Sequence, residues 1–586
     1  MLGFPRRVLI LGMSIAMLDG PSALSHPSGS SGSEELLIGA NQVGRLGGRL
    51  VVGLRAEPKT LNPLLALDAP SREVISRMHA DLISINPKSQ VAEPALARSW
   101  TVSKDGRLYT IHLRHGLRFS DGAPFTADDV VFTFAAWLDE KVHSPQRDLL
   151  IVGGSPVEVS RLDGYTVTVR LAAPYAAAER LFDSLPMLPR HLLEKRLRDG
   201  TLGEAWRLTS APGEIAGMGP FRLKHYRPGE RLVLERNPYF WQADSAGQRL
   251  PYLDEIEYLA VGSEDAQIMR FVAGQTDILN RVSPRAFSLI AAEGSSRGDV
   301  VDDAGPSLES NFLLFNLTPS TPNTPTDLAF RQSWFRRTAF RRAISMAVDR
   351  EAIIRLVYNG RGAPLWGPVT PGNKLWINSA IPHPARSVAL ARKLLASSGF
   401  SWNQDGLLLD PAGRTVEFST IVSASNTERV QMATILESDL RELGMKAHIA
   451  SLEFRSFTDR VLNSRQFDTA IMALGGGDAD PNASLNVWLS SGAMHLWNPN
   501  QHEPGTPWEA EIDALMRTQL SAIQFQRRKQ LYDRVQQLLA ENVPMVFLAS
   551  PDVVVAARKW VGNFSPAVLA DNPLWNAPQL FRLDLH

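Results

Sequence analysis

Short apolar runs separated by turn-forming pairs dominate the first half of the chain. Residues 165–169 alternate apolar and polar side chains directly after Asp163 and Gly164. Two further apolar runs, 221–226 and 231–236, are joined through Pro228-Gly229. Because tight turns between alternating runs are typical of β-hairpins, we predict antiparallel strands in this region.

Helical spacing is clearest where apolar residues recur every three or four positions. Thr126 precedes an apolar run, and Asp129 follows three residues later, which predicts a capping box at a helix N-terminus. Further along, the apolar residues between 433 and 443 keep helical spacing and Gly444 ends the pattern. A second stripe covers 531–539. Apolar runs of strand length flank both later helices, so we predict an α/β second half.

Length and charge narrow the class of protein. A chain of 586 residues exceeds the roughly 250–300 at which single cores stop growing, so at least two domains are expected. With 44% hydrophobic and 21% charged residues, the composition is that of a globular protein. Basic and acidic residues both number 61, which leaves no net charge to attract nucleic acid. We therefore expect no nucleic-acid partner.

The N-terminus carries the features of an export signal. Arginines at positions 6 and 7 precede an apolar run at 8–18 that is shorter than the ~20 residues of a membrane-spanning helix. We therefore predict a cleavable signal peptide at 1–25 and a flexible leader at 26–49, with an N-terminal anchor helix as the alternative. The sequence has no cysteine, so disulfides and a lipid anchor on cysteine are excluded. A periplasmic location fits best.

Five stretches of the sequence resemble the extracellular solute-binding proteins of family 5, which serve peptide and nickel ABC importers. The stretches occur in the same order as in that family. The second, LRHGLRFSDGAPFTADDVVF, is similar to the family's most diagnostic signature. The resemblance runs from about residue 50 to the C-terminus. Met218 departs from the threonine that many members carry. The five stretches are 53–65, 113–132, 217–241, 340–364 and 467–492.

The resemblance implies an α/β fold with the two-lobed architecture of type II periplasmic binding proteins, in the three-subdomain class that binds peptides. Lobe I would comprise 50–66, 211–303 and 547–586. An extra subdomain would occupy 68–210, and lobe II would occupy 304–546. Two chain crossings between the lobes would form a hinge.

The implied function is that of the substrate-binding component of an ABC importer. It would capture oligopeptides or similar small solutes between the lobes and deliver them to permease subunits in the inner membrane. A ligand that contacts both lobes only when they are closed would shift the population toward the closed form. We expect a monomer without cofactor or metal, and no enzymatic activity.

Five residues are the predicted ligand contacts. In peptide-binding relatives an aspartate of the acidic turn accepts the ligand's ammonium group, and the resemblance implies Asp478 for this role, with Asp480 as the nearest alternative. Trp366 and Trp488 would wall the pocket with aromatic faces. Asn311 would present polar groups near the lobe junction.

Rival functions leave few traces in the sequence. The segment that begins at Asp478 resembles a calcium-binding loop. Its sixth residue is Ala483 instead of the required glycine and its twelfth is Leu489 instead of the required glutamate, so we reject a calcium site. Zinc, nucleophile-elbow and phosphate-loop motifs are lacking. A secreted hydrolase with two distant carboxylates leaves no local signature and stays open. A binding protein that senses ligand for a membrane receptor also remains an alternative. The sequence does not distinguish among peptides, sugars, opines and metal chelates as the ligand.

Overall fold

The computed structural model describes residues 34–322, 324–475, 478–499, 501–569 and 573–583. The predicted signal peptide and residues 26–33 of the leader lie outside these ranges. The rest of the leader is packed against the protein, because its strand Leu37–Ile38 pairs with Gln242–Ala243 of lobe I and the Glu35 amide donates to the His115 carbonyl of the extra subdomain at 2.9 Å. This segment therefore differs from the flexible leader that composition predicts.

A large mixed sheet runs through both lobes and has twelve strands in the described part of the chain. Its edge in lobe I is an antiparallel hairpin, and its edge in lobe II is a parallel pair. The strands along the path are Phe221–Arg227, Arg231–Arg236, Glu255–Ala260, Arg49–Leu54, Ile278–Leu279, Met545–Ala557, Ser310–Phe315, Thr469–Leu474, Glu417–Ser423 and Lys446–Leu452, with Val300–Pro306 and Gly362–Pro364 also paired to Met545–Ala557.

The strand Met545–Ala557 belongs to both lobes. Its first part pairs with Ser310–Phe315 in lobe II, and its second part pairs with Val300–Pro306 in lobe I. The chain therefore crosses between the lobes at 307–309 and near Ser550, where the Ser550 hydroxyl donates to the Ser307 carbonyl at 3.0 Å. The predicted lobe limits near 303 and 547 lie a few residues before these crossings.

Helices cover both faces of the sheet in lobe II. The helix Thr427–Glu442 begins where the Asn426 side chain accepts the Arg429 amide at 2.8 Å. Gly444 adopts a φ of +85°, a left-handed conformation that glycine takes without strain, which confirms the predicted helix end. The helices of lobe II are Thr326–Phe335, Thr338–Ala347, Arg350–Val357, Val388–Ser397, Thr427–Glu442, Phe454–Thr458, Leu485–Trp488, Pro507–Ser521 and Phe525–Asn542.

The extra subdomain contains an antiparallel sheet that includes the predicted hairpin. Within the described ranges its strands, in spatial order, are Ala97–Val102, Leu108–Leu113, Thr166–Arg170 and Glu158–Asp163. The helix Ala127–Leu138 packs on this sheet and begins at the predicted capping box, where the Thr126 amide donates to Asp129 Oδ2 at 2.9 Å. Both local predictions are confirmed.

The remaining helices belong to lobe I and to the extra subdomain. Lobe I carries Glu264–Val272 and Pro284–Arg297, and Ala69–Met78 leads from lobe I into the extra subdomain. The extra subdomain adds Ala178–Phe182 and Arg190–Arg198. Among all the residues that the structure describes, no helix has the length and apolar character needed to cross a membrane.

Candidate functional site

The acidic turn after the strand Thr469–Leu474 lies where lobe II meets the extra subdomain. A cavity of about 80 Å³ opens beside the turn, and its lining includes Asp478, Asp480 and Trp488. The glycines at 476–477, which precede Asp478 in the sequence, are outside the described residues. Three of the five predicted contacts therefore share one cavity.

Asp480 is fixed by a buried ion pair. Arg528 Nη1 lies 2.6 Å from Asp480 Oδ2, and Arg528 Nη2 lies 2.6 Å from Asp480 Oδ1. The Asn482 amide also donates to Asp480 Oδ1 at 2.9 Å, which caps the 3-10 turn Pro481–Ser484. Both oxygens of Asp480 are thus engaged within lobe II, and the geometry favours Asp478 over Asp480 as the ligand contact.

Asp478 is less buried than Asp480, and its side chain contacts the extra subdomain. Its side chain is 32% exposed, and its Oδ1 lies 2.9 Å from Nη1 of Arg180. Burial raises the pKa of the Asp478 carboxyl, and the positive charge of Arg180 opposes that rise. The Asp480 amide donates to the same Oδ1 at 3.1 Å, so the turn itself orients this carboxylate.

Two more carboxyl groups of the extra subdomain lie near this pair. Burial raises the pKa of Asp183 to about 7, although its Oδ1 accepts the Ile85 amide at 2.8 Å and Arg180 lowers the value. Burial, with repulsion from Asp183, raises the pKa of Asp81 well above its ordinary value. The site therefore holds more acidic than basic groups, and burial disfavours ionisation of several of them.

The two predicted tryptophans lie in different places. Trp488 is buried, lines the Asp478 cavity and packs 6.5 Å from Trp497, measured between ring centroids. Trp366 instead lines a separate apolar cavity of about 410 Å³ and stacks on His383 with centroids 4.3 Å apart. The structure does not bring Trp366 together with Asp478.

Asn311 also lies apart from the cavity. It is buried on the strand Ser310–Phe315, where its Oδ1 accepts Arg429 Nε at 2.9 Å and its Nδ2 donates to the Tyr358 hydroxyl at 3.2 Å. Because side chains alternate along a strand, its neighbour Ser310 lines the cavity while Asn311 points to the opposite face. Asn311 is thus bonded within lobe II.

Sequence reasoning missed the residues that the extra subdomain contributes. Besides Arg180, the Tyr175 hydroxyl accepts a hydrogen bond from the Asn482 side-chain amide. The Ala176 amide donates to the Leu520 carbonyl at 2.7 Å. No local motif marks these residues, because each gains its role from a partner about 300 or more positions away. In the described part of the chain, no group of three or more His, Asp or Glu residues could hold a metal ion.

The sheet that both lobes share and the helices packed around it form a two-lobed α/β fold. Residues 91–495 match the family model of bacterial extracellular solute-binding proteins, family 5 Middle. A probable ABC transporter-binding protein from Deinococcus radiodurans is 30% identical over 516 residues, 84% of this chain and 85% of that protein. The oligopeptide-binding protein AppA of Bacillus subtilis is 25% identical over 542 residues, 91% of each chain.

Solved structures agree with this result at the level of the fold. The ABC transporter substrate-binding protein CtaP of Listeria monocytogenes matches with a TM-score of 0.74 at 22% identity, over 92% of this chain and 100% of that chain. The chain belongs to the family 5 bacterial extracellular solute-binding proteins, which are binding proteins rather than enzymes. The family and the two-lobed α/β fold implied by the five stretches are confirmed.

Proposed function

We propose that this protein captures oligopeptides, as the substrate-binding component of an ABC importer, and that Asp478 binds the ligand's ammonium group. The relatives named as an ABC transporter-binding protein and an oligopeptide-binding protein support the importer role and the ligand class. The observation that carries the site is the partly exposed carboxylate of Asp478, which lines a cavity of lobe II and contacts Arg180 of the extra subdomain.

The chemistry of a peptide N-terminus suits this carboxylate. A buried ammonium group requires an anionic partner, and removing one member of such a pair costs about 3–5 kcal/mol. Asp478 is positioned by the turn and partly open, whereas Asp480 is committed to Arg528. We therefore assign the ammonium to Asp478 and leave Asp480 with a structural role.

The hinge between the lobes allows the protein to close around its ligand. The chain crosses between the lobes through two neighbouring segments, at 307–309 and near Ser550, so small backbone rotations there change the angle between the lobes. A peptide that contacts lobe II at Asp478 and lobe I on the opposite side of the cleft favours the closed arrangement by its differential affinity. The closed complex then docks on permease subunits in the inner membrane from the periplasm, which the N-terminal signal in the sequence supports.

A ligand screen on the mature protein, beginning at His26, tests the ligand class. Melting temperatures are measured with peptides of two to nine residues, with sugars and with nickel chelates at a hundredfold excess over the dissociation constant, where binding adds about 2.7 kcal/mol of stability. We expect peptides to raise the melting temperature and the other classes to leave it unchanged. A rise with sugars or chelates and none with peptides would refute the peptide assignment.

A further inference from the structure

The partner of Asp478 in this structure is a cation of the protein itself. Arg180 lies on the short helix Ala178–Phe182 of the extra subdomain, and its guanidinium contacts Asp478 Oδ1 at 2.9 Å. The Arg180 side chain is 18% exposed, so the pair is partly shielded from water. This ion pair spans the border between the extra subdomain and lobe II, at the carboxylate that we assign to the ligand.

The surrounding contacts hold Arg180 in this position. Tyr175 contacts Asn482 through a hydrogen bond on one side of the pair, and the Ala176 amide donates to the Leu520 carbonyl at 2.7 Å. Farther along the border, Gln90 Nε2 donates to the Gly372 carbonyl at 2.7 Å. The extra subdomain therefore docks on lobe II at several points, and Arg180 is aimed at the acidic turn by its backbone.

Two other carboxyl groups of the extra subdomain lie in the region of Arg180. Burial shifts the pKa of Asp183 to about 7 and that of Asp81 well above its ordinary value. Burial therefore disfavours the ionised form of both carboxyls, which lie in the same region. Asp478, oriented by the Asp480 amide, is the carboxylate that contacts the guanidinium directly.

Space at the site is limited in this arrangement. The cavity beside Asp478 measures about 80 Å³, whereas ligand sites typically measure about 300–1,000 Å³. Arg180 already occupies Asp478 Oδ1 from the side of the extra subdomain, so a peptide ammonium that pairs with this oxygen must displace the guanidinium. Ligand and guanidinium therefore compete for one carboxylate.

We propose that Arg180 is a specificity-determining residue, whose guanidinium competes with the ligand's ammonium group for Asp478. This inference rests on the proposed function. A ligand that carries a cation replaces the guanidinium and leaves Asp478 paired. A neutral ligand breaks the pair without replacing it, which costs free energy and rejects that ligand. The competition also weakens the binding of correct ligands.

The test compares dissociation constants of one free-amine tetrapeptide, measured by isothermal titration calorimetry, for the wild-type mature protein and three variants. Arg180→Gln removes the competing charge, and Arg180→Lys keeps it. Arg161→Gln is the matched control, because Arg161 pairs with Asp128 at 2.8 Å within the extra subdomain and does not reach lobe II. Melting temperatures of all variants establish that each is folded.

We expect Arg180→Gln to tighten binding by about two- to fivefold, the range for a partly shielded ion pair. Arg180→Lys and Arg161→Gln should stay near the wild-type value. A purely structural Arg180 would leave the dissociation constant unchanged, and an Arg180 that contacts the ligand would make Arg180→Gln bind more weakly. Either result overturns the inference while leaving Asp478 as the ammonium site. Absence of peptide binding to the wild type would overturn the proposed function as well.

Discussion

Asp480 and Arg528 form a bidentate ion pair inside lobe II, with both nitrogen–oxygen distances at 2.6 Å. Arg528 Nε also donates to Gln519 Oε1 at 2.9 Å. The pair fastens the acidic turn to the helix Phe525–Asn542, on which Arg528 lies. The turn that presents Asp478 is therefore held by its neighbour, two residues along the chain.

Replacing Asp480 should destabilise the fold. Asp480→Asn leaves the buried Arg528 charge without its counter-ion, which costs about 3–5 kcal/mol and lowers the melting temperature by about 5 °C or more. Differential scanning calorimetry at pH 7.5 measures the change. Asp199→Asn is the control, since Asp199 pairs with Lys195 on an exposed helix end. Equal melting temperatures for the Asp480 and Asp199 variants would contradict the structural role.

His79 should make stability fall in mild acid. Burial lowers its pKa from 6.5 to about 4, so the unfolded chain binds the proton more readily than the native protein does. The contribution of neutral His79 to the free energy of unfolding is complete above pH 6.5. It is lost as the pH falls to about 4, and the loss amounts to about 3 kcal/mol. Urea titrations at pH 7.5 and pH 5 should show a smaller decline for His79→Gln than for the wild type. His502→Gln, at an exposed histidine, should keep the full decline.

Asp183 should have the opposite pH dependence. Burial raises its pKa from 3.8 to about 7, so its contribution to stability is complete below pH 3.8 and is lost as the pH rises through 7. Asp183→Asn removes this titration and can still accept the Ile85 amide. The variant should melt at a higher temperature than the wild type at pH 8, with the difference shrinking toward pH 4.5. A variant that is less stable at pH 8 would contradict this account.

The separate cavity of Trp366 leads to a prediction about binding. Trp366 contacts His383 and lines the 410 Å³ cavity rather than the one beside Asp478. Trp366→Leu should therefore change the dissociation constant for peptides by less than about twofold. Intrinsic fluorescence or calorimetric titration gives this value. A tenfold loss of affinity in a folded Trp366 variant would place this residue in the ligand site.

Local signals predicted the elements that depend on near neighbours. The capping box joins Thr126 to Asp129, three positions apart, and the helix end at Gly444 requires a single left-handed residue. Both therefore appear directly in the sequence. The five family stretches supplied what no local pattern contains, namely the division into lobes.

The ligand site was only partly predictable. Three of the predicted contacts line one cavity because they are close in sequence, namely Asp478, Asp480 and Trp488. Arg528 and Arg180 come from distant segments, and a lone arginine in a helical pattern carries no sign of its partner. Asn311 failed to reach the cavity because the alternation of its strand turns it toward Arg429. Such contacts depend on tertiary packing and not on the spacing of residues along the sequence.

The measurement that tests the central claim most directly is calorimetric titration of one tetrapeptide, with a free or an acetylated N-terminus, into the wild type and Asp478→Asn. If Asp478 binds the ammonium group, acetylation and Asp478→Asn should each weaken binding by at least about a hundredfold, and together they should weaken it little further. Equal affinity of the wild type and Asp478→Asn for the free-amine peptide would contradict the account.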